Sequence, residues 1–154
     1  MDLNINTAFQ WVSNMTILNA ILSGALSIMH LKLYGLGIQG IWEMRNWAMD
    51  HHPCMYEAFN IFPTIFTNIS IIANQYPLLH HDLHSCSSWY DILASVGDYK
   101  DHVIHIPSLD IDLMYNLGTV VAFSGHLLLH GVNSVEGNRY CLTYYSDSKN
   151  PFHN

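Results

Sequence analysis

The sequence predicts an α+β protein, mainly β, in which N-terminal helices pack on a C-terminal β-sandwich. Three observations lead there. Apolar runs of helical length fill the first sixty residues, and from Ile65 onward the pattern changes to short β-branched and aromatic runs separated by turn residues. The chain has 154 residues, of which half are hydrophobic and only 11% charged. That is enough apolar chain for one domain, 1–154, with a core of its own.

Taken in order, residues 1–14 are polar, and Ile17–Met29 is an apolar run too short for a membrane span. No cation precedes it, so neither a signal peptide nor a transmembrane helix is expected. A buried helix is expected over about 15–34, broken by Gly35, Gly37 and Gly40, then a second short helix over Gly40–Asp50. Trp42, Met44 and Trp47 on that helix read as core rather than as a cofactor site. Pro53 should end it, with a loop running to Pro63. Seven strands are expected: Ile69–Gln75, Trp89–Val96, His102–Ile106, Leu109–Tyr115, Gly118–Gly125, His126–Val132 and Arg139–Ser146. The last two read as a hairpin around an NSVEG turn, and the final eight residues as a loose tail.

Five cations (Lys32, Arg45, Lys100, Arg139 and Lys149) stand against twelve carboxylates. Affinity for nucleic acid rests largely on Lys and Arg neutralising phosphates, so the acidic balance disfavours a nucleic-acid partner for this chain alone. Cys54, Cys86 and Cys141 form no CxxC pair, which argues against a cysteine-rich zinc module and fits an intracellular protein. The eleven histidines are the compositional oddity, because imidazole is the commonest metal-binding side chain.

Spacing separates the informative histidines from the rest. His80-His81-Asp82 follows the first clear strand, and if extended geometry persists His80 and Asp82 point to one face. A third ligand must come from elsewhere, and the run FSGHLLLHGV offers His130, with His126 on the same expected strand face as the alternative. Two imidazoles and one carboxylate on one face of an octahedral Fe(II) leave three positions for a chelating cosubstrate and O₂. Arg139, nine residues after His130, suits the far carboxylate of a dicarboxylate, since a guanidinium makes two parallel hydrogen bonds to one. The other reading of Arg139 is a surface residue paired with Glu136. His80 and His84, four apart, also have the spacing of a helical zinc site, but the glutamate expected after the first histidine is missing. His51, His52, His102, His105 and His153 read as structural or exposed, and Cys86 and Cys141 as small buried residues.

The segments FPTIFTNISIIANQYPLLHHD (62–82), VGDYK (96–100), IPSLDIDLMYNLGTVVAFSGHLLLHGV (106–132) and GNRYCLTYY (137–145) resemble the Fe(II)/2-oxoglutarate-dependent dioxygenases. More narrowly, they resemble the fungal group related to the ten-eleven-translocation and J-binding-protein oxygenases. The resemblance implies a double-stranded β-helix (jelly roll) over about 62–146, and iron held by His80, Asp82 and His130. It also implies 2-oxoglutarate held by Arg139, with Asn74 near the cosubstrate, and oxidation of 5-methylcytosine or another modified base. A small molecule or protein side chain is the alternative substrate, and an inactive jelly-roll binding domain the alternative class. The location would be nuclear with a nucleic-acid substrate and cytoplasmic otherwise. The chain departs from the family pattern at Gln75, where an arginine is common, at Asp101-His102 in place of Gly-Gly, and at Leu117-Gly118-Thr119.

Overall fold

The computed structural model describes residues 5–75, 77–133 and 137–146. The chain divides into two compact units, one helical and ending at Phe66, the other β and beginning at Thr67.

The helical unit contains α1 (Ile5–Asn14), α2 (Thr16–Met29), α3 (Leu31–His51) and α4 (Pro53–Ile61). Two histidines make its joints. His30 and His52 have nearly the same extended backbone, and each ring Nδ1 accepts the backbone N–H three residues on, from Leu33 at 3.3 Å and Met55 at 3.2 Å. Each caps a helix N-terminus whose first N–H groups would otherwise lack partners. Pro53, expected to end a helix, begins one, because the first helical position needs no N–H and favours the fixed φ of proline. The glycines expected to break the chain at 35, 37 and 40 lie inside α3 instead. Gly37 is there for closeness: a Cβ on it would lie 2.9 Å from Ile65 Cβ and 3.0 Å from the Ile65 carbonyl oxygen. No single helix among the described residues is long and apolar enough to cross a membrane.

Among the described residues the β unit has seven strands: β1 (Asn68–Ala73), β2 (Asp91–Tyr99), β3 (Val103–Ile106), β4 (Ile111–Met114), β5 (Val120–Phe123), β6 (Gly131–Val132) and β7 (Gly137–Tyr145). They form two antiparallel sheets, ordered β1-β7-β2-β5 and β4-β3-β6. Strand β7 lies inside the first sheet, pairing Thr143 with Ser70 of β1 and with Leu93 of β2. Its residues Cys141–Tyr144 are all buried. Side chains from both sheets meet in one cluster that includes Leu93 and Phe123 from the first and Ile104 and Ile106 from the second, with Tyr115 and Cys141.

Trp42 and Trp47, expected in the core, are exposed. Two strand expectations are corrected as well. Leu109–Tyr115 is not a single strand: Pro107–Leu109 is a 3₁₀ turn, Asp110 sits at φ 54°, and β4 begins only at Ile111. The apolar run Phe123–Val132 is not a strand of a hairpin with β7 either. The Ser124 carbonyl accepts the N–H groups of Leu127 and Leu128, which turns the chain between the end of β5 at Phe123 and the short β6 at Gly131–Val132. β6 then joins the second sheet and β7 the first, so the expected hairpin is split between sheets. Apolar content alone did not distinguish a strand from a buried turn.

Candidate metal centre

His80 and His130 lie opposite each other in an isolated antiparallel bridge. Each donates its backbone N–H to the other's carbonyl, at 2.9 and 3.1 Å. The bridge continues the second sheet beyond β6 by one residue pair and brings together two side chains fifty residues apart in sequence. The rings stand 4.4 Å apart between centroids. Asp82 is tied to the same place by its N–H, which donates to the Gly125 carbonyl at 2.9 Å. Its two carboxylate oxygens face the two rings, Oδ1 at 3.4 Å from His80 Nε2 and Oδ2 at 3.5 Å from His130 Nε2.

The backbone also fixes which ring nitrogen is free. His80 Nδ1 lies 2.8 Å from the Leu78 carbonyl oxygen, and His130 Nδ1 lies 2.9 Å from that of Leu128. A carbonyl can only accept, so both Nδ1 atoms carry a proton, and Nε2, the atom that faces Asp82, is the one left to ligate a metal. Metal-binding histidines are commonly oriented this way, by a hydrogen bond at the other nitrogen. His130 is 3% exposed and meets the Phe123 ring edge-to-face, and burial lowers its pKa, which favours the neutral, ligating form.

One donor atom from each of His80, Asp82 and His130 can be chosen so that all lie within 4.8 Å of one another. Neighbouring donors about 2.1 Å from a shared ion sit about 3 Å apart, so small side-chain rotations would close this set on one first-row metal. The donor chemistry, two imidazoles and a carboxylate on one side, therefore fits a facial site with open positions. His126 is not part of the group; its carbonyl accepts from the His81 ring at 3.1 Å. His84 lies in a turn rather than on a helix, so the helical zinc spacing is not realised.

A cavity of about 390 Å³ opens on the three residues and is also lined by Arg139, Cys141 and Thr143 from β7 and by Ile72, Leu93 and Ile104. Arg139 is 3% exposed. Its guanidinium stacks 5.1 Å above the Tyr115 ring, and Nη1 donates to the Gln75 carbonyl at 3.3 Å. Its Nε is buried without a partner, and among the described residues no carboxylate pairs with it. Glu136, the alternative partner, lies outside the described residues. A buried cation with donors to spare, on the wall of a cavity that also holds a metal-type triad, fits an incoming carboxylate.

Asn74 serves the strand rather than the cavity wall. At φ 51° its N–H donates to the Arg139 carbonyl and its Oδ1 accepts the Arg139 N–H, both at 2.8 Å, which locks the residue that carries the guanidinium. Three nearby residues carried no local signal in the sequence. Tyr115 is the platform under Arg139, and its hydroxyl lies 3.2 Å from Cys141 Sγ. His102 is fully buried against Tyr99; burial, then the Arg139 charge, lowers its pKa to about 4. Asp91 is fully buried at the start of β2. Burial raises its pKa to about 7, against the lowering effects of the Ser85 hydroxyl and the Gly125 N–H. Only contacts between distant segments reveal these three.

The sequence matches, over residues 5–148, the Tet_JBP family, described as the oxygenase domain of the 2OGFeDO superfamily. The chain belongs to this family. The Tet_JBP assignment agrees with the fold: a solved structure, NgTET1 in complex with 5mC DNA, superposes with a TM-score of 0.66 at 14% sequence identity. The alignment covers 92% of this chain and 52% of that one, so the present chain spans about half the length of the NgTET1 chain. At this identity the likeness is one of fold. No curated protein sequence matches the chain.

Proposed function

We propose that this Tet_JBP domain is an Fe(II)- and 2-oxoglutarate-dependent oxygenase. The observation that carries the reading is the shared cavity: His80, Asp82 and His130 on its wall as a facial donor set, together with a buried Arg139 that no carboxylate among the described residues pairs with. The strand order supports a double-stranded β-helix. With the His80 bridge counted as an eighth strand position, the two sheets read β1-β7-β2-β5 and β4-β3-β6-His80, the pattern of a jelly roll.

His80 and His130 would hold the metal through Nε2 and Asp82 through its carboxylate. Fe(II) bound there supplies the redox chemistry that couples oxidation of 2-oxoglutarate by O₂ to oxidation of a substrate. The chain's own residues bind and orient. Arg139 takes the distal carboxylate of 2-oxoglutarate by a forked, charge-assisted pair, and Tyr115 and the Gln75 carbonyl keep the fork in place. Asn74 acts on the cosubstrate indirectly, through the Arg139 backbone. Ile72, Leu93 and Ile104 keep the space between clamp and metal apolar, which strengthens the ion pair.

For the substrate we favour a modified base such as 5-methylcytosine, because the family and the 5mC DNA of the NgTET1 complex both point there. Such a base would have to be flipped out of its duplex to reach the cavity. One observation favours a small molecule or a protein side chain instead. Among the described residues of the β unit the cations are Lys100 and the buried Arg139, a meagre electrostatic footing for a polyanion. A nuclear location goes with the first substrate class and a cytoplasmic one with the second. Incubation with Fe(II), 2-oxoglutarate and a short 5-methylcytosine duplex, read by mass spectrometry of the digested bases, decides between them. Oxidised cytosine that is absent with His130→Ala supports the base. Succinate formation without base oxidation supports the other classes, and no succinate under any condition supports a silent domain.

A further inference from the structure

Asp91 is a buried carboxylate with no cation beside it among the described residues, and the proposed chemistry does not use it. Its Oδ2 accepts the Gly125 N–H at 2.9 Å. The other side of the same glycine, its carbonyl, accepts the Asp82 N–H, also at 2.9 Å. A two-bond relay therefore runs from Asp91 through one residue to the backbone of the carboxylate in the triad. The same glycine is in contact with the side chains too. A Cβ added to Gly125 would overlap Asp82 Oδ2, lie 3.1 Å from Asp82 Cγ and lie 2.7 Å from Asp91 Oδ2. That Asp82 oxygen is the one facing His130 Nε2.

We propose that Asp91 and Gly125 are positioning residues for Asp82: Asp91 anchors Gly125, and Gly125, lacking a side chain, leaves the Asp82 carboxylate room to face both imidazoles. The inference rests on the reading of His80, Asp82 and His130 as metal ligands. Its physical basis is that a ligand carboxylate has several rotamers, of which one serves the metal. Here the backbone of Asp82 is held by the Gly125 carbonyl, and the space for its carboxylate is the space a side chain at 125 would occupy. Asp91 contributes as a hydrogen-bond acceptor rather than as a charge. Asparagine, with an acceptor of the same reach, should replace it, and leucine, of similar bulk but with no acceptor, should not.

Gly125→Ala separates the site from the fold. The added methyl meets mainly the far ends of two carboxylate side chains, so Asp82 can swing aside and leave the sheets intact. The test is direct binding of Mn²⁺, read from the EPR signal of the free aqueous ion, with thermal melting of each metal-free variant alongside. Wild type should bind, and His130→Ala should bind at least about tenfold more weakly. Gly125→Ala and Asp91→Leu should each lose about 10–100-fold in affinity, the range for residues that orient a ligand, and Asp91→Asn should stay within about threefold of wild type. If Asp91→Leu fails to fold, Gly125→Ala carries the test. Wild-type affinity in Gly125→Ala overturns the proposal while the difference between wild type and His130→Ala preserves the ligand assignment. Asp91→Asn as weak as Asp91→Leu overturns the acceptor role. Equal binding by wild type and His130→Ala overturns the ligand assignment and the proposal with it.

Discussion

His80 and His130 exchange backbone hydrogen bonds at 2.9 and 3.1 Å, and each ring is then oriented by the carbonyl two residues before it. The pair is thus symmetric in construction: one bridge sets the spacing, and Leu78 and Leu128 set the tautomers. Two loops that lack regular strand over most of their length are held together by this exchange, next to the two-residue β6.

The first prediction concerns Arg139. Lysine in its place keeps the charge but cannot offer two parallel donors or lie flat on Tyr115. Arg139→Lys should raise the KM for 2-oxoglutarate by about tenfold or more, with kcat at saturation changed less and Mn²⁺ affinity unchanged. Steady-state kinetics of succinate formation measure the split. A proportionate fall in kcat at unchanged KM would place Arg139 in some role other than cosubstrate binding.

Gly97 supports that arginine from the neighbouring strand. It sits opposite Arg139 in the β2–β7 register at φ 134°, and a Cβ there would overlap the Asn138 carbonyl oxygen and lie 3.2 Å from Arg139 Cα. These obstacles are backbone atoms and cannot swing away. Gly97→Ala should therefore cost about 2 kcal/mol or more of stability, measured by denaturant unfolding, in contrast with Gly125→Ala.

His102 makes stability depend on pH. Its folded pKa, about 4, lies below the ordinary histidine value of 6.5, so the unfolded chain binds more protons between those values. Stability from keeping the ring neutral is therefore complete above about pH 6.5 and is lost as pH falls towards 4. Relative to His102→Gln, wild type should lose on the order of 3 kcal/mol between pH 7 and pH 4. Asp91 has the opposite sign: with a folded pKa of about 7 against 3.8, it makes the protein less stable as pH rises through that interval. The two slopes oppose each other between about pH 4 and 6.5, so the single variants should show steeper pH profiles than wild type. Chemical denaturation at four or five pH values checks both.

How much of this was legible in the sequence follows from the range of each interaction. HxD is legible as a local triplet, although His80 and Asp82 are positioned by partners distant in sequence, the His130 backbone and the Gly125 carbonyl. His130 and Arg139 could be placed because they follow at short range in one run. The family resemblance already favoured His130 over His126; the turn at Ser124 that interrupts the run is what an apolar pattern does not announce. The helix through Gly35, Gly37 and Gly40 was missed because weak glycine helix propensity is overridden by packing, of which the close approach of Gly37 to Ile65 is the visible case. Asp91, Gly125, Tyr115 and His102 gain their roles from contacts across tens of residues, and no spacing rule applies to them. The caps at His30 and His52 are the reverse case: local chemistry, hidden because histidine is an uncommon capping residue.

The central claim, that three side chains hold iron beside a 2-oxoglutarate clamp, is tested most directly by anaerobic titration of the protein with Fe(II) and 2-oxoglutarate. Wild type should develop a weak visible charge-transfer band that needs both additions, and His130→Ala should not. No band in wild type at saturating Fe(II) and 2-oxoglutarate, or the same band in His130→Ala, would contradict the account.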